Sequence, residues 1–134
     1  MTQAPARSVL PAPSVLVVED DDNIAAVLEY ILLREGLTHQ RVATGATALA
    51  VMQALRPDLV LLDVMLPEVS GYDLCQSARR DPALNAMRIV MMTASGSANQ
   101  RSLSLQAGAD GFISKPFELE TLRNEIRRHL HQTP

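Results

Sequence analysis

The stretch DLVLLDVMLP, residues 58–67, decides the fold class of this 134-residue chain. Its centre, residues 59–62, is aliphatic without interruption and stops at the carboxylate of Asp63. A strand with one solvated face alternates apolar and polar residues, whereas a strand of a parallel sheet covered on both faces is apolar throughout. The stretch therefore predicts an inner strand of a parallel sheet that ends in an acid.

Similar segments along the chain predict the other strands and the helices between them. Apolar runs at residues 15–18, 89–92 and 112–113 predict three more strands. A more polar segment at residues 39–43 predicts a fifth strand at an edge. Helical spacing, with capping and stop residues, predicts five helices. They run from a cap at Asp22 to a stop at Gly36, over residues 46–55 after a cap at Thr44, and over residues 71–80, 97–107 and 118–131.

Strand and helix thus alternate five times, which predicts an α/β fold. We expect a single doubly wound, five-stranded parallel sheet with five flanking helices. The length suits one domain. Residues 1–13, which are rich in Ala and Pro, are predicted to be a flexible leader, residues 14–131 the domain, and residues 132–134 a tail.

The composition excludes several classes of protein. There are 12 basic and 15 acidic residues, a net charge of −3, which argues against a protein that grips nucleic-acid backbone. Cys75 is the only cysteine, so a disulfide framework and a multi-cysteine zinc site are excluded. No apolar run approaches the roughly 18 residues of a membrane span. We expect a cytoplasmic protein with no membrane partner and no direct nucleic-acid partner.

Polar residues follow four of the predicted strands. Glu19 and Asp20 come after the first strand, Asp63 after the third, Thr93 after the fourth and Lys115 shortly after the fifth. Because ligands of open parallel sheets bind beyond the carboxyl ends of the strands, we expect these side chains to converge there. Lys115 is the only lysine among the 12 basic residues.

This set of side chains suits phosphoryl chemistry on a carboxylate. Two like charges about 4 Å apart repel by roughly 4 kcal/mol at an effective dielectric near 20, so three carboxylates need counter-charges. Lys115 supplies one, and Mg²⁺, with Mn²⁺ as the alternative, suits the oxygen ligands. Thr93 and Lys115 fit the oxygens of a phosphoryl group, and a carboxylate can be the nucleophile. Asp63, alone at its strand end, is the candidate.

Each residue also has a purely structural interpretation. The acidic run at residues 19–22 could be a solvated helix cap, and Asp63 could be a turn residue. Thr93 could be an ordinary strand residue, and Lys115-Pro116 a plain turn. We favour a functional site because all four structural interpretations would have to hold together, at the ends of four different strands.

Four motifs in order resemble the receiver domain of response regulators in bacterial two-component signalling, and the chemotaxis regulators in particular. The resemblance covers nearly the whole chain, residues 14–130. The motifs are VLVVEDD (15–21), DLVLLDVMLPEVSGYDL (58–74), IVMMTAS (89–95) and AGADGFISKPF (107–117).

The resemblance implies a flavodoxin-like sheet in the order 2-1-3-4-5. It implies that Asp20, Asp63 and the backbone carbonyl of Met65 ligate Mg²⁺, with Glu19 acting through water. Asp63 would then accept a phosphoryl group from a sensor histidine kinase or a phosphotransfer protein. The resemblance also assigns binding of the phosphoryl oxygens to Thr93 and Lys115.

The resemblance further implies a cis peptide bond between Lys115 and Pro116 and a switch in which Thr93 moves and Phe112 follows. The face made by the fourth helix, the fifth strand and the fifth helix would signal to an unknown downstream effector. Gly111 and Glu125 leave the charged dimer pattern of the DNA-binding subfamily incomplete. We therefore expect either a monomer or a homodimer linked to phosphorylation.

Two other positions vary within the family, and two other functions fit part of the pattern. Met65 and Ser95 are neither acids nor amides, which leaves the lifetime of the phosphorylated state open. A docking module that works without phosphorylation is one alternative; the complete set of acids, Thr93 and Lys115 argues against it. A Mg²⁺-dependent phosphatase is disfavoured because Asp63 lacks a second acid two residues on. We expect a signalling domain that promotes its own phosphorylation and dephosphorylation, not an enzyme.

Overall fold

The computed structural model describes residues 13–94 and 97–130. The strands are β1 (Ser14–Val18), β2 (Thr38–Val42), β3 (Leu59–Asp63), β4 (Arg88–Thr93) and β5 (Gly111–Ser114). They form one parallel sheet in the order β2-β1-β3-β4-β5, which confirms the predicted fold class and strand order. The predicted tail, Ser95 and all of the predicted leader except Pro13 lie outside the described residues.

Five helices connect and cover the strands. They are α1 (Asp22–Arg34), α2 (Gly45–Leu55), α3 (Gly71–Arg79), α4 (Ala98–Gln106) and α5 (Leu119–Leu130). A short 3₁₀ turn at Pro82–Leu84, which the sequence pattern did not predict, lies between α3 and β4. Across the described part of the chain, no helix combines the length and the apolar character needed to cross a membrane.

The core has two layers, one on each face of the sheet. On β3, Val60 and Leu62 pack in a cluster with residues of α2 and α3. Leu59 and Leu61 point the other way, into a cluster with residues of α1 and α5. Both faces of this strand are covered, which is why its sequence does not alternate.

The helix α4 is weakly anchored to this core. Ser104 is the only one of its residues that is buried, whereas α1 buries four residues. Buried apolar area is the main source of helix stability in a protein, because short helices are marginal in water. The position of α4 is therefore held by less burial than that of α1.

Two predicted helix caps need correction. The side chain that caps α1 is Asp21, not Asp22: it accepts hydrogen bonds from the N–H groups of Asn23 and Ile24. Asp22 is already the first residue of the helix, and its carboxylate accepts a hydrogen bond from Arg41 instead. Thr44 does precede α2, but its hydroxyl pairs with the Thr47 hydroxyl and makes no capping bond to the backbone.

Candidate functional site

The side chains of Glu19, Asp20, Asp63, Thr93 and Lys115, here called the acidic site, lie at the carboxyl end of the sheet. Glu19, Asp63 and Thr93 are buried, and Asp20 is exposed. One carboxylate oxygen of each of the three acids lies within 4.8 Å of the others. The structure thus brings together the acids that the sequence placed on two strands that neighbour each other in the sheet.

Lys115 lies between two of these acids. Its Nζ atom is 2.8 Å from Oε1 of Glu19 and 3.2 Å from Oδ1 of Asp63. The side chain is only 16% exposed, and the backbone N–H of Lys115 donates to the carbonyl of Thr93 at 2.7 Å. The peptide bond to Pro116 is cis. The ammonium is therefore held at the end of β5 as a shared counter-charge for Glu19 and Asp63.

The pKa values of Glu19 and Lys115 are set by burial and by the contacts between the charged groups of the acidic site. Burial raises the pKa of Glu19 above its ordinary value, although the hydrogen bond from Lys115 opposes that rise. Burial alone would lower the pKa of Lys115. The hydrogen bond to Glu19 and the attraction of Asp63 outweigh it, so the pKa of Lys115 is raised. Lys115 therefore remains an ammonium at neutral pH.

Asp63 is fixed by the turn that follows it. Its Oδ1 atom accepts a hydrogen bond from the backbone N–H of Met65 at 3.1 Å, and the N–H of Gly71 donates to the carbonyl of Val64 at 2.9 Å. A Cβ atom at Gly71 would lie 2.3 Å from the backbone oxygen of Asp63. Only glycine therefore allows the start of α3 to pack this closely against Asp63.

Thr93 contacts a residue of α4 that the sequence analysis did not single out. Its Oγ1 atom lies 3.5 Å from Oε1 of Gln100, and the hydroxyl of Tyr72 on α3 donates to the same Gln100 oxygen. Gln100 thus links Thr93 to both α3 and α4. Nothing in the local sequence marks this glutamine, because its role depends on where α4 lies relative to Tyr72 and Thr93.

Phe112 lies on the same side of the sheet as Gln100. Its ring is half-buried and packs against the cluster that includes Met91, while the guanidinium carbon of Arg101 lies 5.0 Å from the ring centroid. A cation over an aromatic face is attracted by the ring quadrupole. Arg101 therefore covers the outer face of Phe112 in this conformation.

The side chain of Arg41 on β2 also contacts the acidic site, at the backbone carbonyl of Glu19. The Nε atom of Arg41 donates to the carbonyl of Glu19 at 2.9 Å, and its Nη1 atom donates to Oδ1 of Asp22 at 2.9 Å. The sequence of β2 predicts only a polar edge strand. This arginine could not be singled out because the register of β2 against β1 cannot be read from a single strand.

The remaining titratable candidates lie away from the acidic site. Cys75 is fully buried in the cluster beneath α3, and burial raises the pKa of its thiol to about 11, so it is an unreactive core residue. His129 is buried on α5, where its Nε2 atom lies 3.3 Å from Oε2 of Glu125. Neither residue contacts the acidic site.

The acidic site fits a small divalent cation. Its ligand atoms are all oxygens, two of the three carboxylates are buried, and Lys115 neutralises only part of their charge. Mg²⁺ prefers such oxygen ligands and keeps several of its water molecules when it binds to a protein. Because Asp20 is exposed, the acidic site has room for these waters. Within residues 13–94 and 97–130, no second group of three such ligands was found.

The chain is similar in sequence to a well-populated family. The family model described as response regulator receiver domain matches residues 15–127. The DNA-binding response regulator MtrA of Mycobacterium tuberculosis (strain H37Rv) is 40% identical over 118 residues, which are 88% of this chain and 50% of MtrA. The phosphate regulon transcriptional regulatory protein PhoB of Rhizobium meliloti is 36% identical over 120 residues, 90% of this chain and 53% of PhoB. The chain thus spans about half the length of the curated relatives it matches.

Solved structures show the same architecture. A putative response regulator from Chloroflexus aurantiacus superposes with a TM-score of 0.84 at 34% identity, over 89% of this chain and 98% of the other. The chemotaxis protein CheY4 of Vibrio cholerae gives a TM-score of 0.82 at 29% identity, over 93% and 100% of the two chains.

Proposed function

We propose a phosphorylation-controlled switch for this chain, which belongs to the response regulator receiver domain family. It is a receiver domain of two-component signalling, and phosphorylation on an aspartate is the standard function of its family. We propose in addition which residues of this chain carry the chemistry. The observation that carries it is the position of Lys115, between Glu19 and the buried Asp63.

Asp63 is the phosphoryl acceptor in this proposal. Its Oδ1 atom is engaged by Lys115 and by the N–H of Met65, while Oδ2 accepts none of the hydrogen bonds found among the described residues. A carboxylate oxygen of Asp63 attacks the phosphorus of a phosphohistidine on a sensor histidine kinase or a phosphotransfer protein. The new P–O bond forms as the P–N bond breaks, and the electron pair of that bond returns to the imidazole nitrogen.

A divalent cation belongs to the same proposal. Asp20, Asp63 and the backbone carbonyl of Met65 would hold Mg²⁺, or Mn²⁺ in its place, with Glu19 acting through a water molecule. When bound, the cation neutralises the negative charge shared by the carboxylates and the incoming phosphoryl group. Lys115 would bind a phosphoryl oxygen and in doing so exchange one anionic partner for another. With the cation bound, Asp63 and Lys115 would promote both phosphorylation and hydrolysis of the product.

The switch begins at Thr93. A phosphoryl oxygen on Asp63 offers the Thr93 hydroxyl a charged acceptor, which is stronger than its long contact with the neutral Gln100 oxygen. Thr93 then leaves Gln100, and Phe112 takes up the space. Because the phosphoryl group binds one arrangement better than the other, it shifts the population of the face formed by α4, β5 and α5. That face signals to the downstream effector.

The partners follow from the same reasoning. Receiver domains of response regulators interact with histidine kinases, and we propose one as the donor for this chain. The relatives MtrA and PhoB are DNA-binding or transcriptional regulators by name, and they are about twice as long as the matched region. We therefore propose that the α4–β5–α5 face controls an effector domain or a separate effector protein, and that this domain is a monomer or dimerises on phosphorylation.

Intact mass spectrometry tests this function. The chain is incubated with a small phosphodonor such as acetyl phosphate, with and without Mg²⁺. We expect one added phosphate on the wild type only with Mg²⁺ and none on Asp63→Asn. Asp73→Asn, which changes an exposed aspartate in the first turn of α3, is the matched control and should be phosphorylated like the wild type. An unmodified wild type, or equal modification of Asp63→Asn, contradicts the proposal.

A further inference from the structure

We infer that Arg41, on the edge strand β2, is a positioning residue for the acidic site. The inference rests on the proposed Mg²⁺-dependent function and adds to it a residue outside the recognised motifs. Arg41 touches neither the carboxylate of Glu19 nor that of Asp63 in the described contacts. It acts through the backbone of the segment that leaves β1 and carries Glu19 and Asp20.

Both the N–H and the carbonyl of Glu19 form hydrogen bonds with residues of β2. Its N–H donates to the carbonyl of Val42 at 3.1 Å, and its carbonyl accepts from Nε of Arg41 at 2.9 Å. The β1–β2 ladder ends at the pair Val18 and Val42, so no backbone donor of the ladder remains for this carbonyl. A buried carbonyl without a donor is costly, and the side chain of Arg41 supplies the missing hydrogen bond.

Arg41 also helps to determine which of the four consecutive acids after β1 face Asp63. The carboxylate of Asp21 caps α1, and that of Asp22 accepts from Nη1 of Arg41 at 2.9 Å. Only Glu19 and Asp20 are left to face Asp63. The division of the acidic run into ligands and structural residues therefore depends on where Arg41 holds the chain.

The two hydrogen bonds of Arg41, to the Glu19 carbonyl and to the Asp22 carboxylate, contribute unequally to stability. The Asp22 side chain is 89% exposed, and ion pairs with exposed groups contribute little because water screens them. The Arg41 side chain is 21% exposed, and its Nη2 atom is buried without a hydrogen bond among the described residues. The bond to the Glu19 carbonyl is thus the one that matters. It needs a guanidinium because the donor is Nε, and lysine has a methylene group at that position of the side chain.

Two effects of Arg41 on Mg²⁺ binding have opposite signs. As a cation near the acidic site, Arg41 repels Mg²⁺, so its removal by charge alone should tighten binding. As a positioning residue it holds Glu19 and Asp20 in place, so its removal should weaken binding. Loss of groups that orient metal ligands typically costs about 10- to 100-fold in metal affinity, which exceeds the screened effect of one partly exposed charge.

Isothermal titration calorimetry with MgCl₂ on the whole chain tests the inference. We expect Arg41→Met to bind Mg²⁺ about tenfold more weakly than the wild type. Arg41→Lys, which keeps the charge, should remain nearly as weak. Asp22→Asn should stay within about twofold of the wild type because its ion pair is exposed. Arg88→Met is the matched control, since it removes a strand arginine with an ion pair at the opposite end of the sheet.

A second measurement separates positioning from simple loss of structure. At saturating Mg²⁺, phosphorylation of Arg41→Met by acetyl phosphate should recover to within about threefold of the wild-type rate, because the deficit lies in metal affinity. Wild-type affinity or tighter binding in Arg41→Met overturns the inference. If Arg41→Met fails to fold, the lysine variant decides in the same way. A wild type that does not bind Mg²⁺ at all contradicts the proposed function itself.

Discussion

Lys115 lies closer to Glu19 than to Asp63: its Nζ atom is 2.8 Å from Oε1 of Glu19 and 3.2 Å from Oδ1 of Asp63. The resting partner of the lysine is thus an acid that is not the proposed acceptor. Glu19 holds the ammonium beside Asp63 without committing it to that carboxylate alone. The same contacts make Lys115 a resident cation that competes with Mg²⁺ for the acidic site.

Replacing Lys115 by methionine should therefore have two opposite effects. Two buried carboxylates lose their counter-charge, so the free energy of unfolding should fall by roughly 3 kcal/mol without Mg²⁺. Because a competing cation is gone, Mg²⁺ should bind more tightly and restore part of that stability. Urea denaturation with and without MgCl₂ measures both effects. Arg80→Met, at an exposed position, is the control, and equal losses in the two variants would count against this account.

Gly71→Ala should affect both stability and phosphorylation. The new methyl group would lie 2.3 Å from the backbone oxygen of Asp63, so the turn or α3 must shift, at a cost of about 2 kcal/mol or more. The shift moves the acceptor, so phosphorylation by acetyl phosphate should slow. Gly36→Ala is the control because Gly36 has open space around it but a φ of +74°. It should cost about 1 kcal/mol and leave the phosphorylation rate unchanged. Equal rates in both variants would contradict the steric argument.

Glu35 should make stability depend on pH. Its carboxylate accepts from Arg127 at 2.8 and 2.9 Å and from Arg123 at 3.3 Å, which ties the end of α1 to α5. The hydrogen bond from Arg127 is the main reason that the pKa of Glu35 is lowered from its ordinary value of 4.5. A lowered folded-state pKa contributes stability above the unfolded pKa, and that stability is lost as the pH falls through the folded pKa.

The corresponding variant is Glu35→Gln. At neutral pH it should be less stable than the wild type by about 1 kcal/mol, and the difference should close as the pH falls below the ordinary carboxyl range. Chemical denaturation at several pH values measures this. Glu68→Gln, in the exposed loop after β3, should follow the wild type throughout. A stability difference between Glu35→Gln and the wild type that persists at low pH would show that packing, not charge, explains the loss of stability.

Hydrogen exchange should be fastest in α4. Its sequence is rich in Ser and Asn, which are weak helix formers, and Ser104 is its only buried residue. The helix α1 buries Ala25, Leu28, Ile31 and Leu32. Amides of α4 should therefore exchange at least about tenfold faster than those of α1 in the unphosphorylated chain. Equal protection of the two helices would remove the basis for α4 as the mobile part of the switch.

The fold was predictable because its decisive feature is local. The run at residues 59–62 is apolar on both faces, and the structure places Leu59 and Leu61 in one core layer and Val60 and Leu62 in the other. The cap of α1 was less predictable, since Asp21 and Asp22 are equally good caps by residue type. The contact of Asp22 with Arg41, a residue distant in sequence, distinguishes the two.

The residues of the acidic site could be predicted only where they lie at the end of a strand. Glu19, Asp63 and Lys115 each follow an apolar run, so their convergence could be inferred from the topology of a parallel sheet. Arg41 and Gln100 reach the same region from β2 and from the first turn of α4. Their contacts depend on the register of β2 and on the rotation of α4, and no local pattern encodes either.

Trapping the acyl phosphate tests most directly whether Asp63 carries the phosphoryl group. The chain is phosphorylated with acetyl phosphate and Mg²⁺ and then reduced with borohydride, which converts an aspartyl phosphate into homoserine. Peptide mass spectrometry locates the converted residue. We expect homoserine at position 63 and unchanged aspartate at Asp20 and Asp21. Homoserine at either of those two positions, or no conversion at position 63 in a chain that has gained phosphate, would contradict the account.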